Sequence, residues 1–137
     1  MRTTLFALLA VAAGCATATV PGRDDSCVGI PWSISIPAGE VRSVDDERLF
    51  IELVSVENDS RCAEGAQCVW EGDATAVLSV WEEEGSPERV ELHTSSRFSS
   101  SAIVGDYAIE LTGIEPHPRD GVRIQTGEYV ATVEVSR

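Results

Sequence analysis

The chain contains no lysine, so all ten of its basic side chains are arginines, and 23 acidic side chains oppose them. The formal net charge is −13. Nucleic acids and anionic lipid surfaces are bound through a basic footprint, and this composition does not supply one. We therefore expect no nucleic-acid partner, while cationic partners remain compatible with the charge.

Histidine and methionine are also scarce, since His93 and His117 are the only histidines and Met1 is the only methionine. The histidines do not have the spacing of a zinc motif, and a thioether-rich copper site has no ligands here. Neither a G-x-S-x-G elbow nor a phosphate-binding glycine loop occurs. We expect no cofactor and no enzymatic activity, with His93 on a solvated strand face and His117 in a loop. A hydrolase that uses one of the histidines is the enzymatic alternative.

The N-terminal apolar run, residues 5–13, is far shorter than the ~20 residues of a membrane-spanning helix. With Arg2 before it and small residues after it, the run indicates a secretory signal peptide over residues 1–14. The residues Ala12-Ala13-Gly14-Cys15 resemble the lipobox of bacterial lipoproteins. This resemblance implies cleavage before Cys15 and lipidation of its sulfur. It also implies a lipid anchor in the cell envelope, at the outer membrane if the organism is Gram-negative.

An alternative cleavage site follows Ala16-Thr17-Ala18 and would release a soluble secreted or periplasmic protein. Under the lipoprotein interpretation, residues 15–26 are a lipidated tether and residues 27–137 are a single domain. More than one acyl chain is attached to mature bacterial lipoproteins, and two chains are enough for stable anchoring.

Three further cysteines would lie in an oxidising compartment, where disulfides persist. Cys62 and Cys68 are separated by five residues that include Gly65, so we predict that they close a small disulfide loop. Cys27 is then the odd cysteine, which is either buried and inert or paired with a partner.

The pattern from about residue 40 onward predicts strands and shows no sustained helical periodicity. Six or seven short strands, separated by turn clusters, predict an all-β fold. We favour an antiparallel, immunoglobulin-like β-sandwich, and a small open β-barrel is the alternative. The clearest predicted strands are residues 49–56, 74–81, 89–94, 107–111 and 129–135.

The most distinctive run is residues 59–74, DSRCAEGAQCVWEGDA. It resembles a pattern in small bacterial lipoproteins, D-S-R-C-P followed by C-x-W-x-G-x-A, although Ala63 stands where the pattern usually has proline. Weaker similarity extends over residues 40–136. The resemblance implies an envelope lipoprotein with a β domain and adds no activity.

Physically, this run predicts a stapled loop with a tight backbone at Gly72, and rigid loops on a sheet scaffold are common binding surfaces. We expect a non-enzymatic protein with a structural role, or one that binds another protein or an envelope component. Trp70 is either a cap on the core or a contact residue. The candidate contact residues are Arg61, Glu64, Gln67 and Trp70.

The alternative function is an accessory protein that binds a cation or small ligand through the acidic residues around the cysteine loop. Calcium requires several converging oxygen ligands, and no EF-hand spacing is present. We therefore expect no metal site. The carboxylates that a calcium ion would use, if one bound, are Asp59, Glu64, Glu71 and Asp73.

Overall fold

A computed structural model describes residues 31–137 of the chain. The predicted signal peptide, the lipidation of Cys15, the tether and the state of Cys27 lie outside the described residues. Within residues 31–137, no helix is long and apolar enough to cross a membrane.

The described residues form eight strands arranged in two antiparallel four-stranded sheets. One sheet has the order β1-β8-β7-β6 and the other has the order β2-β3-β4-β5. The strands are β1 (Trp32–Pro37), β2 (Val41–Val44), β3 (Leu49–Glu57), β4 (Thr75–Glu82), β5 (Glu88–His93), β6 (Ser101–Val104), β7 (Tyr107–Glu115) and β8 (Val130–Ser136).

The predicted all-β sandwich is confirmed, and its connectivity differs from that of an immunoglobulin domain. Immunoglobulin sheets have the order A-B-E-D and C-F-G, so the chain crosses between the sheets three times, from B to C, from C to D and from E to F. Here β2 to β5 follow one another, β6 to β8 do the same, and β1 pairs with β8. Sequential strands joined by short turns pair readily because little chain is needed to connect them.

The core lies between the inner faces of the two sheets. In β7, the side chains of Tyr107, Ile109 and Leu111 point inward, as the alternating pattern predicts. The predicted inward face of the last strand is also confirmed, since Tyr129 and three alternate residues of β8 are buried. The other sheet contributes alternate side chains of β3, β4 and β5 to the same cluster.

Three strands were missed by the sequence analysis. β1 alternates Trp32, Ile34 and Ile36, but it precedes residue 40, where the interpreted strand pattern began. β2 and β6 have only four residues each, so neither shows a clear period of two. A short 3-10 helix, Thr126–Glu128, precedes β8.

Residues 38–40 connect β1 to β2 across the two sheets, and the other six connections fall into two groups at opposite ends of the sandwich. Residues 45–48, 83–87 and 105–106 are short turns at one end, which we call the turn end. Residues 58–74, 94–100 and 116–129 are longer loops at the other, which we call the loop end. The chain enters the sandwich at the turn end, because Trp32 pairs with Val135 near the close of β8.

Candidate functional site

The loop end is organised around the disulfide loop. Cys62 and Cys68 are bonded as predicted, with their Cα atoms 6.0 Å apart. The loop packs against residues 116–129: the Glu64 N–H donates to the Pro118 carbonyl at 2.8 Å, and His117 Nε2 donates to the Cys62 carbonyl at 3.0 Å. Arg119 forms an exposed ion pair with Glu64. The disulfide loop is therefore closed by a covalent bond and also held to residues 116–129 by hydrogen bonds and an ion pair.

A buried ion pair holds the start of this loop against β7. Arg61 donates to both carboxylate oxygens of Asp59, each at 2.8 Å, and these side chains are only 8% and 10% exposed. Arg61 also donates to the carbonyl oxygens of Ile114, at 2.5 Å, and Pro116, at 3.0 Å. Buried charges are tolerated when they are paired and hydrogen-bonded in this way.

Tyr129 completes the same network by donating its hydroxyl to Asp59 at 3.0 Å. Burial alone would raise the pKa of Asp59, but the hydrogen bonds and charge of Arg61 outweigh it and lower the pKa below its usual value. Burial raises the pKa of Tyr129, and the bond to Asp59 adds to that effect. The network therefore favours an ionised Asp59 and a neutral Tyr129.

The run ends at a close backbone crossing. Gly72 has a φ of +76°, and a Cβ atom built there would lie 1.9 Å from the Ser60 carbonyl oxygen. The Ser60 N–H donates to the Asp73 carbonyl at 2.7 Å across the same crossing. The predicted tight conformation at Gly72 is confirmed, because both its left-handed backbone and the space beside it exclude a side chain.

Beyond the crossing, Asp73 and His93 form a second polar network. His93 Nδ1 lies 2.7 Å from Asp73 Oδ2, and a carboxylate only accepts hydrogen bonds, so Nδ1 carries the donated proton. Asp73 Oδ1 accepts from the Ser95 N–H at 2.9 Å and from the Thr94 hydroxyl at 3.3 Å. Burial raises the pKa of Asp73, but these bonds, led by the one from His93, lower it below its usual value overall.

The expectation of a solvated His93 is therefore wrong. Its side chain is 24% exposed, its ring packs 4.9 Å from that of Phe98, and Nδ1 also lies 3.3 Å from the Thr75 hydroxyl. The alternation along β5 did point the side chain away from the core. The loop 94–100 folds back over that face, which the strand pattern does not reveal. His117 lies in a loop, as predicted.

A cleft of about 450 Å³ opens between the loop 94–100 and the end of β7. Both histidines line it, together with Arg61, Glu115 and serine and threonine hydroxyl groups. A second cleft, of about 330 Å³, adjoins it and shares Glu115 and His117 with it. The two clefts together form one groove across the loop end.

Apolar side chains are exposed beside this groove. Val69 is fully exposed, Trp70 is 41% exposed and Phe98 is 53% exposed. The guanidinium carbon of Arg97 lies 5.3 Å from the centre of the Trp70 ring. Because Trp70 is so exposed and packs against Arg97, it does not cap the core, and the alternative role as a surface residue fits its position.

The other predicted contact residues have different environments. Glu64 and Gln67 are exposed on the disulfide loop, so they are accessible to a partner. Arg61 is not, because its guanidinium is committed to Asp59 and to β7 carbonyl oxygens. The signal that singled out Arg61 was its place beside Cys62, which does not distinguish a buried arginine from a presented one.

The four carboxylates considered for calcium do not converge. All four are already paired within the protein: Asp59 accepts from Arg61, Glu64 pairs with Arg119, and Glu71 accepts from the Ser95 hydroxyl at 2.8 Å. Asp73 is held by His93 and the backbone of the loop 94–100. Within residues 31–137, no group of three or more His, Cys, Asp or Glu side chains is arranged to hold a metal ion.

The Asp73–His93 pair was not anticipated from the sequence, because its members are distant in the chain. The only local signal was a histidine at the end of a strand that precedes a serine-rich loop. Such a pair orients an imidazole and is one half of the arrangement used in nucleophilic catalysis. However, Ser95 directs its hydroxyl to Glu71, and among the described residues no serine hydroxyl is hydrogen-bonded to His93.

We compared the chain with protein-family models, curated proteins and solved structures, and found no match in any of the three.

Proposed function

We propose that this protein is a non-enzymatic binding domain of the bacterial cell envelope, anchored by a lipid on Cys15, and that the loop end is its binding surface. The lipobox-like residues before Cys15 support the anchor, and the groove and exposed apolar side chains support the binding surface. A soluble secreted form, cleaved after Ala18, is the alternative for the first part.

The observation that carries the proposal is that the chain enters the sandwich at the end opposite to the long loops. The chain enters at Trp32 on the turn end, whereas the disulfide loop and both clefts are at the loop end. A lipid attached before residue 31 is therefore joined to the turn end of the domain. In this arrangement, the loop end is free to face away from the membrane and to meet a partner.

The loop end is also pre-ordered, which favours binding. A surface whose loops are already fixed loses less conformational entropy when it binds a partner. Here the disulfide, the Asp59–Arg61 pair and the Asp73–His93 pair hold the loops in place. Exposed apolar residues such as Val69 and Trp70 then offer area that a partner can bury.

Site-specific crosslinking in cells tests the binding surface. The photoreactive residue p-benzoylphenylalanine is introduced in place of Val69, and in place of Ser86 on the turn end as the matched control. Both positions are exposed, so neither substitution disturbs the core. We expect a crosslinked product from position 69 and none from position 86. Products from position 86 alone, or from neither position, contradict the proposal.

The intact mass of the protein purified from its envelope tests the anchor. We expect a chain that starts at Cys15 and carries acyl mass. An unacylated chain that starts at Thr19 contradicts the anchor and leaves the crosslinking test of the loop end unaffected.

A further inference from the structure

We propose that the groove at the loop end binds a neutral, hydroxyl-rich oligosaccharide. This inference rests on the proposed binding function of the loop end and names the class of its ligand.

The tautomers of the two histidines give the first argument. Asp73 requires His93 to donate from Nδ1, and the Cys62 carbonyl requires His117 to donate from Nε2. In a neutral imidazole one nitrogen donates and the other accepts. With both rings neutral, Nε2 of His93 and Nδ1 of His117 are acceptors, and neither is hydrogen-bonded to another residue within the described part of the chain. Two fixed acceptors in one groove match a ligand that offers O–H or N–H donors.

The charge of the groove gives the second argument. Arg61 lines the larger cleft, but Asp59 already neutralises its guanidinium. Main-chain carbonyl groups accept hydrogen bonds from its remaining N–H groups. Glu115 adds a carboxylate that both clefts share. An anionic ligand such as a phosphate would meet this carboxylate without a free cation in the larger cleft. The second cleft is lined by two arginines and three glutamates, so negative charge exceeds positive charge there as well. The groove as a whole therefore favours a ligand without negative charge.

The remaining lining suits the hydroxyl groups at the edge of a sugar ring. Ser96 and Ser100 bring hydroxyl groups that both donate and accept hydrogen bonds, whereas the Thr112 hydroxyl already donates to a main-chain carbonyl and can only accept from a ligand. Leu111 and Ile114 also line the cleft, but they are only 6% and 4% exposed and pack in the core, so they offer little apolar surface. The edge of a sugar ring both donates and accepts hydrogen bonds, so this polar lining complements it.

The size and shape of the groove favour an oligosaccharide over a single sugar. The larger cleft, at about 450 Å³, lies within the range of about 300–1,000 Å³ that is usual for small-molecule sites. The second cleft extends it past His117 and Glu115. A ligand of several linked rings would occupy both clefts.

The test is a titration of the 15N-labelled protein, purified from the envelope in detergent micelles and followed by amide NMR spectra. The probes are chitotetraose and cellotetraose as neutral saccharides, spermidine as a polyamine without hydroxyl groups, and inorganic phosphate as an anion. We expect at least one saccharide to shift the Ser95, Ser96 and Gly113 amides saturably, with a Kd below about 10 mM. The inference is overturned if neither saccharide does so, or if only spermidine or phosphate does.

A blocking variant localises the site. Ser96→Trp places a large side chain in the cleft from an exposed position, and Ser86→Trp makes the same change at the turn end. We expect Ser96→Trp to weaken saccharide binding at least about tenfold, and Ser86→Trp to leave it unchanged. Equal binding by both variants overturns the assignment to this groove. A crosslink from position 69 without saccharide binding would overturn this inference and leave the proposed function standing.

Discussion

The turn end joins its strands by the short segments 45–48, 83–87 and 105–106, whereas the loop end joins them by residues 58–74, 94–100 and 116–129. At the turn end, Asp45 accepts from the Tyr107 hydroxyl at 2.6 Å and pairs with Arg137, which is 45% exposed. At the loop end, the Asp59–Arg61 pair is almost fully buried. Short turns need few interactions beyond the strands they join, but long loops stay ordered only when buried contacts offset their lost entropy.

This difference separates what holds the strands together from what orders the loop end. The turn end is held largely by strand pairing, so its side chains are replaceable. The loop end depends on a few specific residues, namely a glycine crossing, two buried carboxylates and a disulfide. Substitutions of these residues should therefore lower the free energy of unfolding far more than equivalent substitutions at the turn end.

The largest effect is expected from Gly72→Ala. The new Cβ would lie 1.9 Å from the backbone oxygen of Ser60, and backbone atoms cannot move aside as a side chain can. We expect a loss of more than about 4 kcal/mol in the free energy of unfolding, or failure to fold. Chemical denaturation of the variant and the wild type measures the difference.

Two other glycines provide controls for Gly72→Ala. Gly65 has a φ of +87° with nothing near its Cβ position, and Gly105 has a φ of +55° with only the Glu82 side chain in the way. Alanine at either position costs only about 1–2 kcal/mol, the usual penalty of a left-handed backbone. Equal losses for all three alanine variants would show that the crossing at Gly72 is not tight.

The next largest effect is expected from Arg61→Ala. This change leaves Asp59 with no cationic partner in a buried site and removes the bonds to the Ile114 and Pro116 carbonyl groups. We expect a loss of about 3–5 kcal/mol, as for other broken buried ion pairs. The matched change at the turn end, Arg137→Ala, removes an exposed pair and should lower the melting temperature much less. Similar losses for the two variants would refute the comparison between the ends.

Removal of the disulfide is expected to have a moderate effect. The variant with both Cys62→Ser and Cys68→Ser loses the entropy advantage of a short closed loop, about 2–2.5 kcal/mol. The Glu64 and His117 bonds to the neighbouring segments remain, so we expect the variant to fold. Chemical unfolding followed by circular dichroism measures this loss in the free energy of unfolding. The single Cys62→Ser variant is measured in the same way for comparison. A double variant that is as stable as the wild type would contradict a structural role for the disulfide.

The last and smallest expected effect is on the pH dependence of stability, to which Asp59 and Asp73 contribute. Both have a pKa below the ordinary aspartate value of 3.8, so the folded state binds fewer protons than the unfolded state as the pH falls past that value. Their contribution to stability is complete above about pH 4 and is lost as the pH falls further towards their folded pKa values. Asp73→Asn should flatten this acid limb, whereas Asp120→Asn, at an exposed position, should not. If the Asp73→Asn variant loses as much stability between about pH 4 and lower pH as the wild type does, the pKa of Asp73 is not lowered by folding.

The sequence predicts the sandwich well because alternation and burial are local properties. Inward-facing residues such as Tyr107, Ile109 and Val133 follow directly from a period of two. The disulfide was also predictable, because Cys62 and Cys68 are close in the chain. The strand order was not, since both an immunoglobulin connectivity and a meander satisfy the same alternation.

The site was less predictable because its partners are distant in sequence. His93 meets Asp73 only after β4 and β5 pair, and Arg61 meets the Ile114 carbonyl only after the two sheets stack. For this reason, the cysteine-loop motif predicted the disulfide but wrongly assigned Arg61 to the surface. His93 was expected to be solvated, but the loop 94–100 covers that face of β5, and the sequence did not indicate the path of this loop.

If the loop end is ordered as firmly as the strands, its hydrogen-bonded amides are protected from exchange with solvent, and amide hydrogen exchange measures this protection. The amides of Ser60, Cys62 and Glu64 donate to the carbonyl groups of Asp73, Glu71 and Pro118 at 2.7, 2.9 and 2.8 Å. We predict that these three amides exchange as slowly as those of the central strands β4 and β7. Exchange at the rate of an unstructured loop would contradict the claim that this end is a pre-ordered binding surface.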